Sequence, residues 1–189
     1  MSINLEKGQN LFLKDSDHDL SKLTIGLGWD TNKSGGSQFD LDASAILLES
    51  SGKPSNKMDL IYFGEKMHFS KKIWSNGDNL TGAGEGDDEQ ITVKLNEIAP
   101  NYEKIIFFVN IYQATSRRQH FGLVENAFIR AVDAKGVEIA KFQLSGKDYS
   151  GKTAMMFAEL YRNSGGWKFK ALGDARMADS PKPIYESFK

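Results

Sequence analysis

The 189-residue sequence contains no cysteine. That absence removes a disulfide framework, cysteine-ligated zinc, iron–sulfur clusters and thiol catalysis together. Histidine is scarce: His18, His68 and His120 lie far apart, none has a second ligand close by, and no HExxH or similar zinc spacing occurs. Each reads as a surface or loop histidine. There is no GxSxG elbow for a serine hydrolase. Long hydrophobic runs are missing as well. The N-terminal MSINLEKGQNLFLKD has no apolar stretch of signal-peptide length, and no later run approaches the length of a membrane span. A soluble, cytoplasmic protein that is not itself membrane-spanning is therefore expected. With a net charge of −1 there is no global pull toward nucleic acid or an anionic membrane.

The last absence is local. Between Lys72 and Lys94 the chain has no Lys or Arg, yet five carboxylates fall there. Residues 1–100 carry 10 basic and 16 acidic side chains, a net of −6, whereas residues 101–189 carry 14 and 9, a net of +5. Asymmetry of this kind points to a site rather than to a fold.

What is present is a period of two. In LTIGLGW (23–29), Leu23, Ile25, Leu27 and Trp29 share one face, while Thr24, Gly26 and Gly28 take the other, where the glycines allow something to pack closely. Strands are also expected at 41–49, 90–96, 104–112, 124–133, 137–144, 153–162 and 167–173. KIIFFVNIY (104–112) is nearly continuous in apolar residues, so it should be a central strand covered on both faces. AMMFAELY favours a helix by propensity, but NSGG followed by alternating Trp167, Phe169 and Ala171 closes a hairpin and makes it a strand. Met155 and Met156 then face opposite sides and form no paired site. Short helices are expected near 96–102 and, after the SPKP break, at 184–189. The whole predicts a mainly β chain: a single β-sandwich domain over 1–189, with about eight or nine strands, short peripheral helices, and a tail or short helix at 177–189.

GDNLTGAGEGDDE (77–89) is the most informative segment. It carries Asp78, Glu85, Asp87, Asp88 and Glu89, with Asn79 and Thr81 as neutral oxygen donors and four glycines that let the backbone curl. Two like charges about 4 Å apart repel by roughly 4 kcal/mol at an effective dielectric near 20. Gathering four or five of them without a counter-ion exceeds a domain's stability margin of roughly 5–15 kcal/mol. The loop therefore either stays spread in water or closes around a cation, and no local side chain supplies the positive charge. Hard oxygens on a flexible loop suit calcium better than magnesium, and zinc, copper and nickel prefer nitrogen or sulfur. The EF-hand spacing is not met, because position 80 is Leu. Asp30, at the end of GLGWD, and Asp40 and Asp42, flanking Leu41 on one strand face, lie at strand ends that could meet this loop at one rim.

GLGWD, FDLDAS, GDNLTGAGEGDDE, VNIY and FGLVENAFIR together resemble the tellurium-resistance TerD family of bacterial stress proteins, over residues 3–177 or so. The resemblance implies a cytosolic calcium-binding β-sandwich, without enzymatic activity, in a tellurite-resistance and stress-response system. Its calcium pattern maps onto Asp78, Asn79, Thr81, Glu85, Asp87, Asp88 and Glu89, and its upstream acidic positions onto Asp30, Asp40 and Asp42, for one or two Ca2+ ions. It also implies other tellurium-resistance proteins as partners, at the inner membrane surface.

Two rival readings use the same residues. A metal-dependent enzyme acting on a phosphorylated or nucleotide-like substrate would bridge it through the ion, with Arg117, Arg118 or His120 as clamp or base. A calcium-stabilised carbohydrate-binding sandwich is the other. GAGEG lacks the last glycine of GxGxxG and the lysine of a P-loop, and its carboxylates would repel phosphate. Without thiols or a dinucleotide fingerprint, direct reduction of tellurite is not expected. Asn110, polar in an apolar strand, needs partners, either at the acidic rim or in the core backbone.

Overall fold

The computed structural model describes residues 3–4, 6–13, 18–33, 35–77, 79–83 and 86–189. Two six-stranded sheets face each other. Sheet A runs in the order β1 (Ile3–Asn4), β10 (Glu138–Gln143), β9 (Phe128–Val132), β3 (Leu23–Gly28), β7 (Glu89–Val93) and β6 (Ile73–Ser75). Sheet B runs in the order β2 (Asn10–Leu13), β12 (Gly166–Arg176), β11 (Ala154–Asn163), β8 (Tyr102–Ile111), β4 (Leu41–Glu49) and β5 (Leu60–Ile61). All pairings are antiparallel except β1 with β10.

The alternation seen in the sequence sets this architecture. Leu23, Ile25, Leu27 and Trp29 enter the core between the sheets, against Ile105, Phe107 and Val109 of β8. The other face of sheet B is apolar too: Ile46, Leu48, Ile106, Phe108 and Met156 lie beneath Ile184 and Tyr185 of the C-terminal helix (Pro181–Glu186). β8 is thus covered on both faces, as its composition predicts, and Met155 and Met156 divide between the two clusters. β11 is a strand in spite of its helix-favouring residues. Asn163 pairs with Gly166, and the two residues between them, Ser164 and Gly165, both have positive φ, the requirement of a tight hairpin that follows strand twist.

Four short strands (β1, β2, β5 and β6) add to the eight expected ones. The helix expected near 96–102 is only a single 3-10 turn at Leu95–Glu97, and Tyr102 is already in β8. The C-terminal helix starts at Pro181: SPKP opens it, with proline in the first turn where its missing N–H costs nothing, instead of breaking the chain before 184. No helix among the described residues is long and apolar enough to cross a membrane.

The histidines require one correction. His68 is not a surface residue; it is 1% exposed and its Nε2 lies 3.1 Å from Asp59 Oδ1. Asp59, fully buried, also accepts from the Tyr102 hydroxyl at 2.7 Å, from the Ser55 N–H and hydroxyl, and from the Asn56 N–H. Burial opposes its charge, but the hydrogen bonds from His68, Tyr102, Asn56 and Ser55 outweigh burial and hold its pKa at about 2. The Tyr102 hydroxyl is pushed the other way, to about 12, by burial first and then by Asp59. This centre ties the segment between β5 and β6 to β8.

Candidate metal centre

β3, β7, β4 and β8 bring their acidic ends to one pole of the sandwich. Leu27 pairs with Glu89 in sheet A, and Asp42 pairs with Asn110 in sheet B. Two hydrogen bonds join the sheets there: Glu89 Oε2 accepts from the Ala43 N–H at 2.6 Å, and Trp29 Nε1 donates to the Phe39 carbonyl at 3.1 Å. Glu89 continues the inward-facing row of Ile91 and Val93, so its buried carboxylate closes the end of the core.

The acidic loop folds back onto this pole. Asp88 Oδ2 accepts from the Trp29 N–H and Oδ1 from Asn79 Nδ2, both at 2.9 Å. Asn79 Oδ1 in turn accepts from the N–H groups of Thr81 and Gly82 and from the Thr81 hydroxyl, building a tight turn. Gly82, at φ +68°, lies flat on Trp29; a Cβ there would be 2.3 Å from the indole nitrogen. Burial raises the Asp88 pKa, the Trp29 N–H opposes this, and the charges of Asp87 and Asp30 raise it further. Asp78 and Glu85 lie outside the described residues.

The remaining site residues divide by environment. Asp40 and Asp42 are buried on the outer face of sheet B, where Asp42 Oδ2 accepts from Asn110 Nδ2 at 3.1 Å and Arg117 Nη1 reaches Asp40 Oδ2 at 3.4 Å. Asp30 is partly exposed, with Asn126 Nδ2 at 2.9 Å and Lys33 Nζ at 3.3 Å; chiefly the Asn126 bond lowers its pKa. Asp87 points to the outer face of sheet A and pairs with Arg130 Nε at 2.8 Å. The sequence offers the acidic loop no local cation; the fold brings others to these carboxylates. Lys33, Arg117 and Arg130 supply the charge from outside the 73–93 gap. Arg130 lies 43 residues from Asp87 and Arg117 lies 77 from Asp40, so only the fold reveals them.

Does this donor set suit a hard cation? Every donor is oxygen, and the Asn110 amide oxygen has no hydrogen-bond partner among the described residues. Asn110 is fully buried, its amide nitrogen bonds Asp42, and its Oδ1 accepts from nothing. The amide orientation is fixed by chemistry: turning it would set oxygen against carboxylate. A buried orphan of this kind costs about 1–3 kcal/mol unless a ligand meets it, and a divalent cation held by Asp42 and Asn110 would supply that ligand. Carboxylate and amide oxygens are the donors calcium takes. Among the described residues, no three His, Asp or Glu side chains are already gathered as a metal cage. A cavity of about 610 Å³ lined by Phe12, Arg162 and Trp167 lies at the opposite end of sheet B, where Arg162 is engaged by the carbonyls of Ile98, Ala99 and Tyr102.

Comparison with known proteins agrees with this architecture. A family model described as the TerD domain matches residues 1–183. The tellurium resistance protein TerX of Serratia marcescens is 46% identical, over 95% of this chain and 96% of its own. General stress protein 16U of Bacillus subtilis is 45% identical, over 92% of this chain and 90% of its own. The crystal structure of a Streptomyces coelicolor A3(2) homologue of the telluride resistance protein TerD superposes with a TM-score of 0.70 at 24% identity, covering 89% of this chain and 98% of its own, which speaks to the fold. The chain accordingly belongs to the TerD-domain family, whose relatives here carry the names of tellurium-resistance and general stress proteins, and a stress-response role follows.

Proposed function

We propose that this protein is a non-enzymatic calcium-binding component of a bacterial tellurite-resistance and stress-response system, acting in the cytoplasm as a sensor or scaffold. The carboxylate pole binds one or two Ca2+ ions. Asp42, Asp88, Glu89 and Asn110 are its fixed donors, Asp30, Asp40, Asn79 and Thr81 are further oxygen donors, and Asp78 and Glu85, outside the described residues, join them on the sequence pattern alone. The observation that carries this reading is the Asn110 amide oxygen, fully buried and unpartnered beside the Asp42 carboxylate. The ion neutralises repulsion among buried carboxylates and draws the acidic loop to the pole, presenting one fixed surface to partners among other tellurium-resistance proteins. The catalytic alternative draws no support from Arg117, whose guanidinium is engaged by Asp40 and the Tyr112 ring. Calorimetric titration of metal-stripped protein tests the proposal. Binding heat with Ca2+ and its loss in Asp88→Asn are expected; no heat and no change in melting temperature would reject it.

A further inference from the structure

Asp87 and Asp88 are neighbours in the chain, but their side chains turn to different parts of the fold. Asp88 turns to the Trp29 N–H at the pole, and Asp87 turns to the outer face of sheet A. Arg130, Gly26 and Gln90 form one row across β9, β3 and β7 on that face, and the Asp87 carboxylate lies across it. Its Oδ1 accepts from Arg130 Nε at 2.8 Å and its Oδ2 from Gln90 Nε2 at 3.1 Å. Arg130 is braced on its far side by Glu138 at 3.2 Å. The carboxylate fills the space left open by the missing side chain of Gly26, where a Cβ would lie 2.2 Å from Oδ2 and 2.5 Å from Oδ1. One position further along, Gly28 admits the Gly86 carbonyl in the same way. The Asp87 side chain is only 4% exposed.

We infer that Asp87, although it sits in the most acidic stretch of the chain, is not an ion ligand but a strut. Arg130 and Gly26 are positioning residues that clamp the loop's stem on sheet A, so that Asp88 and Asn79 face the pole. Both carboxylates have hydrogen-bond donors, but those of Asp88 are neutral amides, whereas Asp87 already meets a cation, the Arg130 guanidinium, so a metal ion at Asp87 would have to displace a like charge. This inference rests on the calcium reading of the same pole.

A double-mutant cycle separates a strut from a ligand. Ca2+ is counted by native mass spectrometry and its affinity measured by calorimetry for wild type, Asp87→Asn, Arg130→Gln, the double variant and Asp88→Asn, with the melting temperature of each metal-free protein taken alongside. As a strut, Asp87→Asn and Arg130→Gln each keep the full ion count and weaken affinity by a similar factor below tenfold. The double variant is then no weaker than either single one, because both changes release one clamp, while Asp88→Asn loses an ion. As a ligand, Asp87→Asn would lose an ion or more than a hundredfold in affinity, and Arg130→Gln, having removed a competing charge, would bind Ca2+ more tightly; that pattern overturns the inference. A wild type that binds no Ca2+ overturns the calcium reading itself, and the strut assignment with it, so the two failures are distinguishable.

Discussion

The molecule holds two buried acidic centres that differ in how their charge is met. Asp59 accepts from Ser55, Asn56, Tyr102 and His68, and its carboxyl is held at about 2. At the pole, Asp88 has two donors, its carboxyl is raised, and the amide oxygen of Asn110 has no hydrogen-bond partner among the described residues. The first centre is electrostatically complete and needs nothing from solvent. The second is incomplete in the sense that a hard cation would correct. Burial of a carboxylate alone therefore says little about function; the count of donors around it separates an internal staple from a receptor for an ion.

This contrast can be broken from either side. The largest effect is expected from Asp59→Ala, which strands His68 in the interior. Breaking a buried pair costs about 3–5 kcal/mol, or roughly 6–20 °C in Tm at about 2–4 °C per kcal/mol. Thermal denaturation reads this, and any variant that still folds should bind Ca2+ as the wild type does. Next comes saturation of the pole. Ca2+ at about 100 times its dissociation constant should stabilise by about 2.7 kcal/mol and raise Tm by roughly 5–10 °C, a shift that Asp88→Asn should reduce or abolish. The third is pH dependence. The folded-state pKa of Asp59 lies at about 2, below its ordinary 3.8, so its contribution is present at neutral pH. That contribution, about 2 kcal/mol, is lost as pH falls from about 5 toward 2, and urea unfolding at stepped pH reads it. Asp88 has the opposite sign: its raised carboxyl sheds its penalty when protonated, so acid weakens Ca2+ binding without costing the metal-free fold at that residue. The smallest effect sharpens the contrast most. Asn110→Leu relieves the orphan oxygen but strips Asp42 of its amide donor, effects of about 1–3 kcal/mol each and of opposite sign, so the metal-free Tm should move little while the calcium-induced shift shrinks.

Most of the fold is legible in the sequence because its strands either alternate, as β3 and β12 do, or run apolar on both faces, as β8 does. Ile25, Leu27 and Trp29, and the doubly apolar β8, announce their faces without tertiary information. β11 is readable only through the hairpin that follows it. The short strands are not readable: two to four residues carry too little periodicity, and β1 and β2 also depend on neighbours far away in the chain, β10 and β12. The acidic pole is legible as a concentration of charge, but its internal division is not. Arg130 and Arg117 come from distant segments, and the opposite facing of Asp87 and Asp88 becomes meaningful only once β3 and β9 lie beneath the loop. The Asp59 centre is half local, since Ser55 and Asn56 lie four and three residues before it, but the groups that mark it as buried, His68 and Tyr102, are 9 and 43 residues away. The nearest usable signal is Asp59 itself, a charge set directly against the apolar LIYF that follows it.

The central claim is that the pole, and not the Asp59 centre, is built for a hard divalent ion. Native mass spectrometry of the metal-stripped protein, recorded before and after addition of Ca2+, tests this most directly. The account predicts a mass increase of one or two calcium ions that Asp88→Asn diminishes and Asp59→Asn leaves intact; an unchanged mass, or the same gain in both variants, would contradict it.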